Sequence, residues 1–375
     1  MGSVGIAVAS VYTEIDNEYL QLNNTVGVHW RNGLENAPVN PVTSGMQTVF
    51  SDDFKTMPSI SKTGIGATYA SAKVDEARGG MFGWAAFEDR GGTNDPFSIA
   101  DNDFMQLTTT YHPTGYVRDD YWKQKVSTGY LSSMDQAGGG FHTEGGRNQY
   151  FEARMFFGPN PGMWPAFWTL TANGYVQNAY LANQPSDELD ILEGSMGTPN
   201  GYQIAWHPWG YDKPAAAGYD ASKLGGGYQI NLDTPPFNNV NLALCFHTLG
   251  VYITKDMTYY YCDNVFVNQH KTLPFSWQYG NYFILNPALS DHYGIKGNSS
   301  DPFEIFEVPG GFTRYGNESN TYIDWVRAYQ DAPGTVRFES NSSIKALSGD
   351  VVSVNVSRND AAAELSGSYH VRSWR

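Results

Sequence analysis

Glu188-Leu189-Asp190-Ile191-Leu192-Glu193 crowds three carboxylates into six positions of an otherwise apolar run. Charges are normally kept out of such runs, because burying an unpaired carboxylate is costly. Strand alternation puts Glu188, Asp190 and Leu192 on one face and turns Glu193 to the other. One extra residue taken up in a β-bulge between Asp190 and Glu193 restores the phase, and all three acids then share a face. Two glutamates with an aspartate between them suit hydrolysis of a glycosidic bond. One attacks the anomeric carbon, while the other protonates the leaving oxygen and later activates water. The middle carboxylate raises its neighbour's pKa by like-charge repulsion, keeping an acid protonated near neutral pH. The competing reading is an edge strand whose solvated acids block sheet pairing. Leu189, Ile191 and Leu192 argue against a free edge.

A second constellation lies upstream in Gly162-Met163-Trp164-Pro165-Ala166-Phe167-Trp168. Indoles stack on the apolar faces of pyranose rings, although an arbitrary tryptophan pair serves equally well as core filling. The elements that must position these groups read as strands. Helical periodicity is scarce, whereas Gly (40), Pro (19), Tyr (25) and Phe (20) abound. Short alternating runs at 150–157, 202–207 and 321–329, separated by turn residues, predict an all-β sandwich or barrel. No internal repeat is evident. The chain divides into a polar lead-in (1–43) ending in Ala37-Pro38-Val39-Asn40-Pro41, a main domain (44–331) with a long loop-rich stretch at 77–103, and a tail (332–375). Strand-like pieces at 335–339 and 351–356 make the tail an added hairpin or part of an accessory domain.

Acidic residues outnumber basic ones, 38 to 23, for a formal charge of −15. That balance argues against nucleic acid, anionic membranes and strongly anionic polymers as partners. No run approaches the length needed to span a bilayer. The opening residues have neither the basic start nor the apolar core of a secretory signal. Cys245 and Cys262 are the only cysteines. If 244–253 and 257–267 form a hairpin about Thr254-Lys255-Asp256, the two are not directly opposed, which favours buried thiols over a bridge. A disulfide scaffold and a four-cysteine zinc site are excluded by count.

Taken together, these segments resemble glycoside hydrolase family 16, the β-jelly-roll endoglycanases that include laminarinases, lichenases and agarases. Its bulged Glu-x-Asp-x-x-Glu motif is matched by Glu188, Asp190 and Glu193, and its Trp-Pro-Ala-Phe-Trp signature by residues 164–168. Weaker matches are Val49-Phe50-Ser51-Asp52-Asp53-Phe54, 150–155, Phe246-His247-Thr248 with Tyr261-Cys262-Asp263, Leu285-Asn286, and Ile323-Asp324-Trp325-Val326-Arg327-Ala328-Tyr329. The resemblance implies two curved antiparallel sheets with a substrate groove on the concave face. It makes Glu188 the nucleophile, Asp190 its assistant and Glu193 the acid/base of a retaining mechanism. Trp164 and Trp168 would border the sugar, with His207 and Trp206 of Ala205-Trp206-His207-Pro208-Trp209 near the acid/base. Asp324 resembles the aspartate that helps hold a structural calcium, an ion that favours oxygen ligands. No cofactor is required for catalysis.

Two positions depart from the pattern. Ser127-Thr128-Gly129 is followed by Tyr130 where many laminarinases have arginine, and Ile253 stands where a tryptophan is frequent. Both bear on the substrate subgroup and leave the carboxylate strand intact. The expectation is therefore a monomeric, secreted or cell-surface endo-hydrolase of a β-1,3 or mixed β-1,3-1,4 glucan. A β-galactanase of the same family and a non-catalytic, lectin-like module are the alternatives. Residues 77–103, with Trp84, Phe87, Arg90 and Phe97, are expected to build a wall of the groove.

Overall fold

The structure, a computed structural model, describes residues 41–43, 45–73, 81–82, 85–114, 125–157, 162–175, 185–194, 200–212, 216–237, 240–243, 246–289, 296–298, 301–307, 317–333, 336–338 and 356–358. The lead-in up to residue 40, Trp84, Cys245 and most of the tail lie outside the described residues.

Two large sheets pack face to face. The first, here the site sheet, has eight strands in the order Gly226–Asn231, Gly201–Trp209, Ser186–Gly194, Met163–Thr171, Asn281–Leu289, Leu131–Ser132, Tyr69–Ala70 and Ile60–Ser61. The second, the back sheet, has eleven. Its spine runs Val265–Lys271, Met257–Cys262, His247–Ile253, Gln149–Phe157, Glu318–Gln330 and Phe104–Tyr111, and shorter strands extend it. Hairpin pairs of consecutive strands alternate with pairs distant in sequence, such as Gln149–Phe157 with Glu318–Gln330 and Met163–Thr171 with Asn281–Leu289, so the chain crosses from sheet to sheet, as in a jelly roll. Among the described residues pairing is antiparallel except at two short contacts, Ile60–Ser61 with Tyr69–Ala70 and Ala85–Phe87 with Val126–Thr128.

Alternation explains the core. Phe151, Ala153, Met155 and Phe157 of the back sheet meet Met163, Phe167, Leu189, Ile191 and Leu192 of the site sheet in one buried cluster. Along Gln149–Phe157 the intervening residues face away from that cluster, and Tyr150 is nevertheless fully buried. It lies across Gly250, where an added Cβ would stand 2.3 Å from its hydroxyl.

The stretch 77–103 is less loop-rich than expected. It holds Met81–Phe82, Ala85–Phe87 and Phe97–Ala100, all strands of the back sheet. Phe97 goes into the main core, and Phe87 packs 4.7 Å from Tyr130 in the cluster that contains Trp168. The hairpin about residues 254–256 forms with Leu249 opposite Cys262 and Ile253 opposite Thr258. Its second strand stops at Cys262, short of 267, because Asp263 and Asn264 take positive φ (48° and 64°) and turn the chain into Val265–Lys271. Cys262 is a buried thiol beside the Tyr202 hydroxyl. In the tail, Val336–Phe338 pairs with Val356–Arg358 as a separate two-stranded sheet.

Candidate active site

The carboxylate strand Ser186–Gly194 is interior to its sheet, between Met163–Thr171 and Gly201–Trp209. Glu188 pairs with His207 and Asp190 with Ala205, but Glu193 pairs with Gln203. Three steps on one strand thus match two on the other, which is the anticipated bulge. Its effect is visible in burial: Leu189, Ile191 and Leu192 are all at most 1% exposed in the core. Glu188, Asp190 and Glu193 are left on the opposite face.

On that face His207 Nε2 lies 3.3 Å from Asp190 Oδ2. Ligand atoms of Glu188, Asp190 and His207 all fall within 4.8 Å of one another. Burial and mutual repulsion push every acid upward. Glu188 stands at about 8, raised by burial and then by Asp190, with His207, Lys73 and the Trp209 indole pulling the other way. Glu193 stands at about 7, raised by burial and Glu188 and held back by His207 and Trp164. Asp190 is well above the ordinary range through burial and the charge of Glu193, against which Lys73 works. Groups this close titrate as a unit, so the proton count belongs to the cluster.

The tryptophan strand Met163–Thr171 supplies the neighbouring row. Trp168 sits opposite Asp190, and Ala166 opposite Glu193. Trp168 is 5% exposed, its N–H donating to Asn286 Oδ1 at 2.8 Å and its ring lying 5.0 Å beneath Lys73 Nζ. It is a floor beneath the acids more than a free platform. Trp164 is half-buried next to Glu193.

Trp206 does not reach this face. It pairs with Leu189, packs against the core and stacks on His270 at 4.2 Å. Successive strand residues point opposite ways, so His207 and Trp206 cannot share a face; alternation selects Trp209 instead. Trp209 is 42% exposed and stacks on His207 at 5.1 Å. Lys73 also escaped sequence reasoning, since nothing local marks it; Gln136 Nε2 holds its carbonyl at 3.1 Å.

Behind the strand, on its core side, Asp187 is fully buried. It accepts from the Tyr211 hydroxyl at 2.6 Å and from the Ser276 amide at 2.7 Å, tying the helix Pro274–Tyr279 to the carboxylate strand. Burial raises Asp187 to about 6 despite those donors. On the back sheet, His247 Nδ1 and Asp263 Oδ2 meet at 2.7 Å, uniting two of the weaker sequence matches. Asp324 is bound by the Arg154 guanidinium, and both side chains are nearly buried. A cation there would have to displace or repel a guanidinium, so the residues present do not fit a calcium ion at Asp324.

No protein-family profile matches the chain, and no curated protein does. Solved structures do. The catalytic domain of a laminarinase, an endo-1,3-β-glucanase from Thermotoga petrophila, superposes with a TM-score of 0.53 at 18% identity, over 76% of this chain and 97% of that one. The chain has its fold. The endo-β-1,3-glucanase of Pyrococcus furiosus gives 0.52 at 18%, over 76% and 94%. A non-specific endo-β-1,3(4)-glucanase of family GH16 gives 0.53 at 20%, over 77% and 92%. The β-jelly-roll sandwich expected from the sequence is therefore the architecture of the molecule.

Proposed function

We propose that this protein is a retaining endo-glycoside hydrolase that cleaves internal β-linkages of a neutral glucan, β-1,3 or mixed β-1,3-1,4. The observation that carries the reading is the bulged strand, which sets Glu188, Asp190 and Glu193 on one face with His207 against Asp190. Three fold neighbours are named as glucanases, and the −15 charge disfavours an anionic polymer. Because its substrate is a polymer, the enzyme works outside the cell or at its surface.

In this mechanism one negative charge resides on Glu188. Taken separately, the values of about 8 and 7 order the two glutamates the other way. Those values already contain the pull of Lys73, His207 and Trp209, so the charge is assigned to Glu188 by its place as the first acid of the motif, which the resemblance makes the nucleophile. Two protons then remain for Asp190 and Glu193. Glu188 attacks the anomeric carbon, and Glu193 gives its proton to the leaving oxygen. Water, deprotonated by Glu193, then releases the sugar from Glu188. Protonated Asp190 steadies the Glu188 carboxylate before attack and the departing carboxylate afterwards.

The test is product release from laminarin, mixed-linkage glucan, agarose and mucin-type glycans. Wild type should yield oligosaccharides from a glucan, with the β-anomer formed first by NMR. Glu188→Ala should abolish release and spare binding, and Glu193→Gln should lower kcat roughly 10²–10⁴-fold. Unchanged turnover in either variant would remove that residue from its role; products from agarose alone would move the substrate to a galactan.

A further inference from the structure

Trp209 ends the strand Gly201–Trp209, two residues beyond His207, so both side chains stand on the carboxylate face. Its partner across the strands is Ser186, two residues past the Glu188–His207 pair. It therefore lies at the Glu188 end of the acid row, away from Glu193. The indole stacks on His207 with an interplanar angle of 21° and stands beside Glu188, whose charged form it favours. Among the described tryptophans it alone is exposed, at 42%. With one ring face covered by His207, the exposed area is the opposite face and the rim. Leaving a large aromatic surface in water forfeits roughly 25 cal/mol for each Å² kept from burial. Here that surface is also aimed, held on one side by the His207 ring.

We propose that Trp209 is the stacking platform for the pyranose ring bound at the Glu188 end of the acid row. The class of ligand is a neutral pyranose, whose apolar C–H face lies flat against the indole while its hydroxyls stay at the rim. The inference deepens the glycosidase reading and rests on it. Because the same indole stands beside Glu188, filling this subsite brings the sugar chain and the nucleophile to one reference surface.

Kinetics on the preferred polymer and on a ladder of its oligosaccharides test the idea. Trp209→Ala should raise KM on the order of tenfold and move the preferred cleavage bond along the oligosaccharides. Trp209→Phe should recover most of the affinity. Trp209→Leu, which keeps apolar bulk over His207 without a flat ring, should not. Phe266→Ala, an exposed aromatic of the back sheet, should behave as wild type. Calorimetry of oligosaccharide binding in a Glu188→Gln background should show the same ranking, without turnover. An active wild type whose KM and cleavage pattern survive both Trp209→Ala and Trp209→Leu would overturn the platform and leave the glycosidase reading standing. A wild type that cleaves no glycan would bring down both.

Discussion

At the residue scale, the cluster is governed by which positive and hydrogen-bonding groups face each acid. Glu188 and Asp190 both feel Lys73, which sits over the ring of Trp168, itself opposite Asp190. Removing a cation raises a carboxyl pKa. In Lys73→Met the acidic limb of kcat/KM, set by ionisation of Glu188, should move to higher pH. Activity below that limb should fall roughly tenfold per unit moved. Lys73→Arg should bring the limb back. The alkaline limb is loss of the proton that Glu193 must hold; because the acids titrate as one cluster, activity should follow a bell that peaks between about 7 and 8 and declines above it. A pH–rate profile checks both, and an acidic limb that stays in place in Lys73→Met would separate the lysine from the chemistry.

At the scale of elements, the carboxylate strand is gripped from behind. Asp187 accepts from Tyr211 and from the amide of Ser276, and the helix it anchors ends at Gly280, where φ is +74°. A Cβ at that glycine would lie 2.1 Å from the Thr143 carbonyl oxygen, so no other residue fits without backbone movement. The folded-state pKa of Asp187, about 6, exceeds the ordinary aspartate value of 3.8, so the fold holds this proton more tightly than the unfolded chain does. Its ionisation therefore erodes stability as pH rises from the ordinary carboxylate range through about 6, and the loss is complete above it. Tyr211→Phe removes a donor to the charged form. It should cost about 1–3 kcal/mol, more at pH 8 than at pH 5, in urea denaturation at the two pH values. Equal losses at both would show that the hydroxyl does not act through the charge of Asp187.

At the scale of the molecule, the back sheet is fastened by Arg154 and Asp324, which come from its two most extensively paired strands. The register shifts between Arg154 and Met155, and this irregularity accommodates Asp324 beside the guanidinium. Arg154 also lies over Phe246, 5.1 Å from the ring centroid. Breaking a buried pair strands a charge, so Arg154→Met should cost about 3–5 kcal/mol in thermal or urea unfolding. A chelator should leave Tm unchanged. A fall in Tm with chelator that calcium restores would show that a metal, and not the guanidinium, secures this face.

Much of this protein is legible along the chain. The β class follows from short alternating runs, and the bulge from a mismatch of phase between Asp190 and Glu193 within a single strand. Even the choice of Trp209 over Trp206 was available, because alternation counted from His207 settles it. These features are local, and a strand's period of two carries them. The turn at Asp263-Asn264 is local as well, a pair that tolerates positive φ and ends the strand at Cys262. What no local pattern carries is which distant segments meet. Lys73 reaches the acids only because Tyr69–Ala70 and Met163–Thr171 belong to one sheet. Asp187 finds Tyr211 and Ser276, and Asp324 finds Arg154 where a metal ligand was expected, through contacts between segments far apart in the chain. The sequence by itself determined that Glu188 and Asp190 share a strand face and that Glu193 joins them only through a bulge, since covalent spacing and alternation allow nothing else. Only the tertiary structure decided the cations, donors and rings that set their charge, because those arrive from strands brought together by burial of a common core.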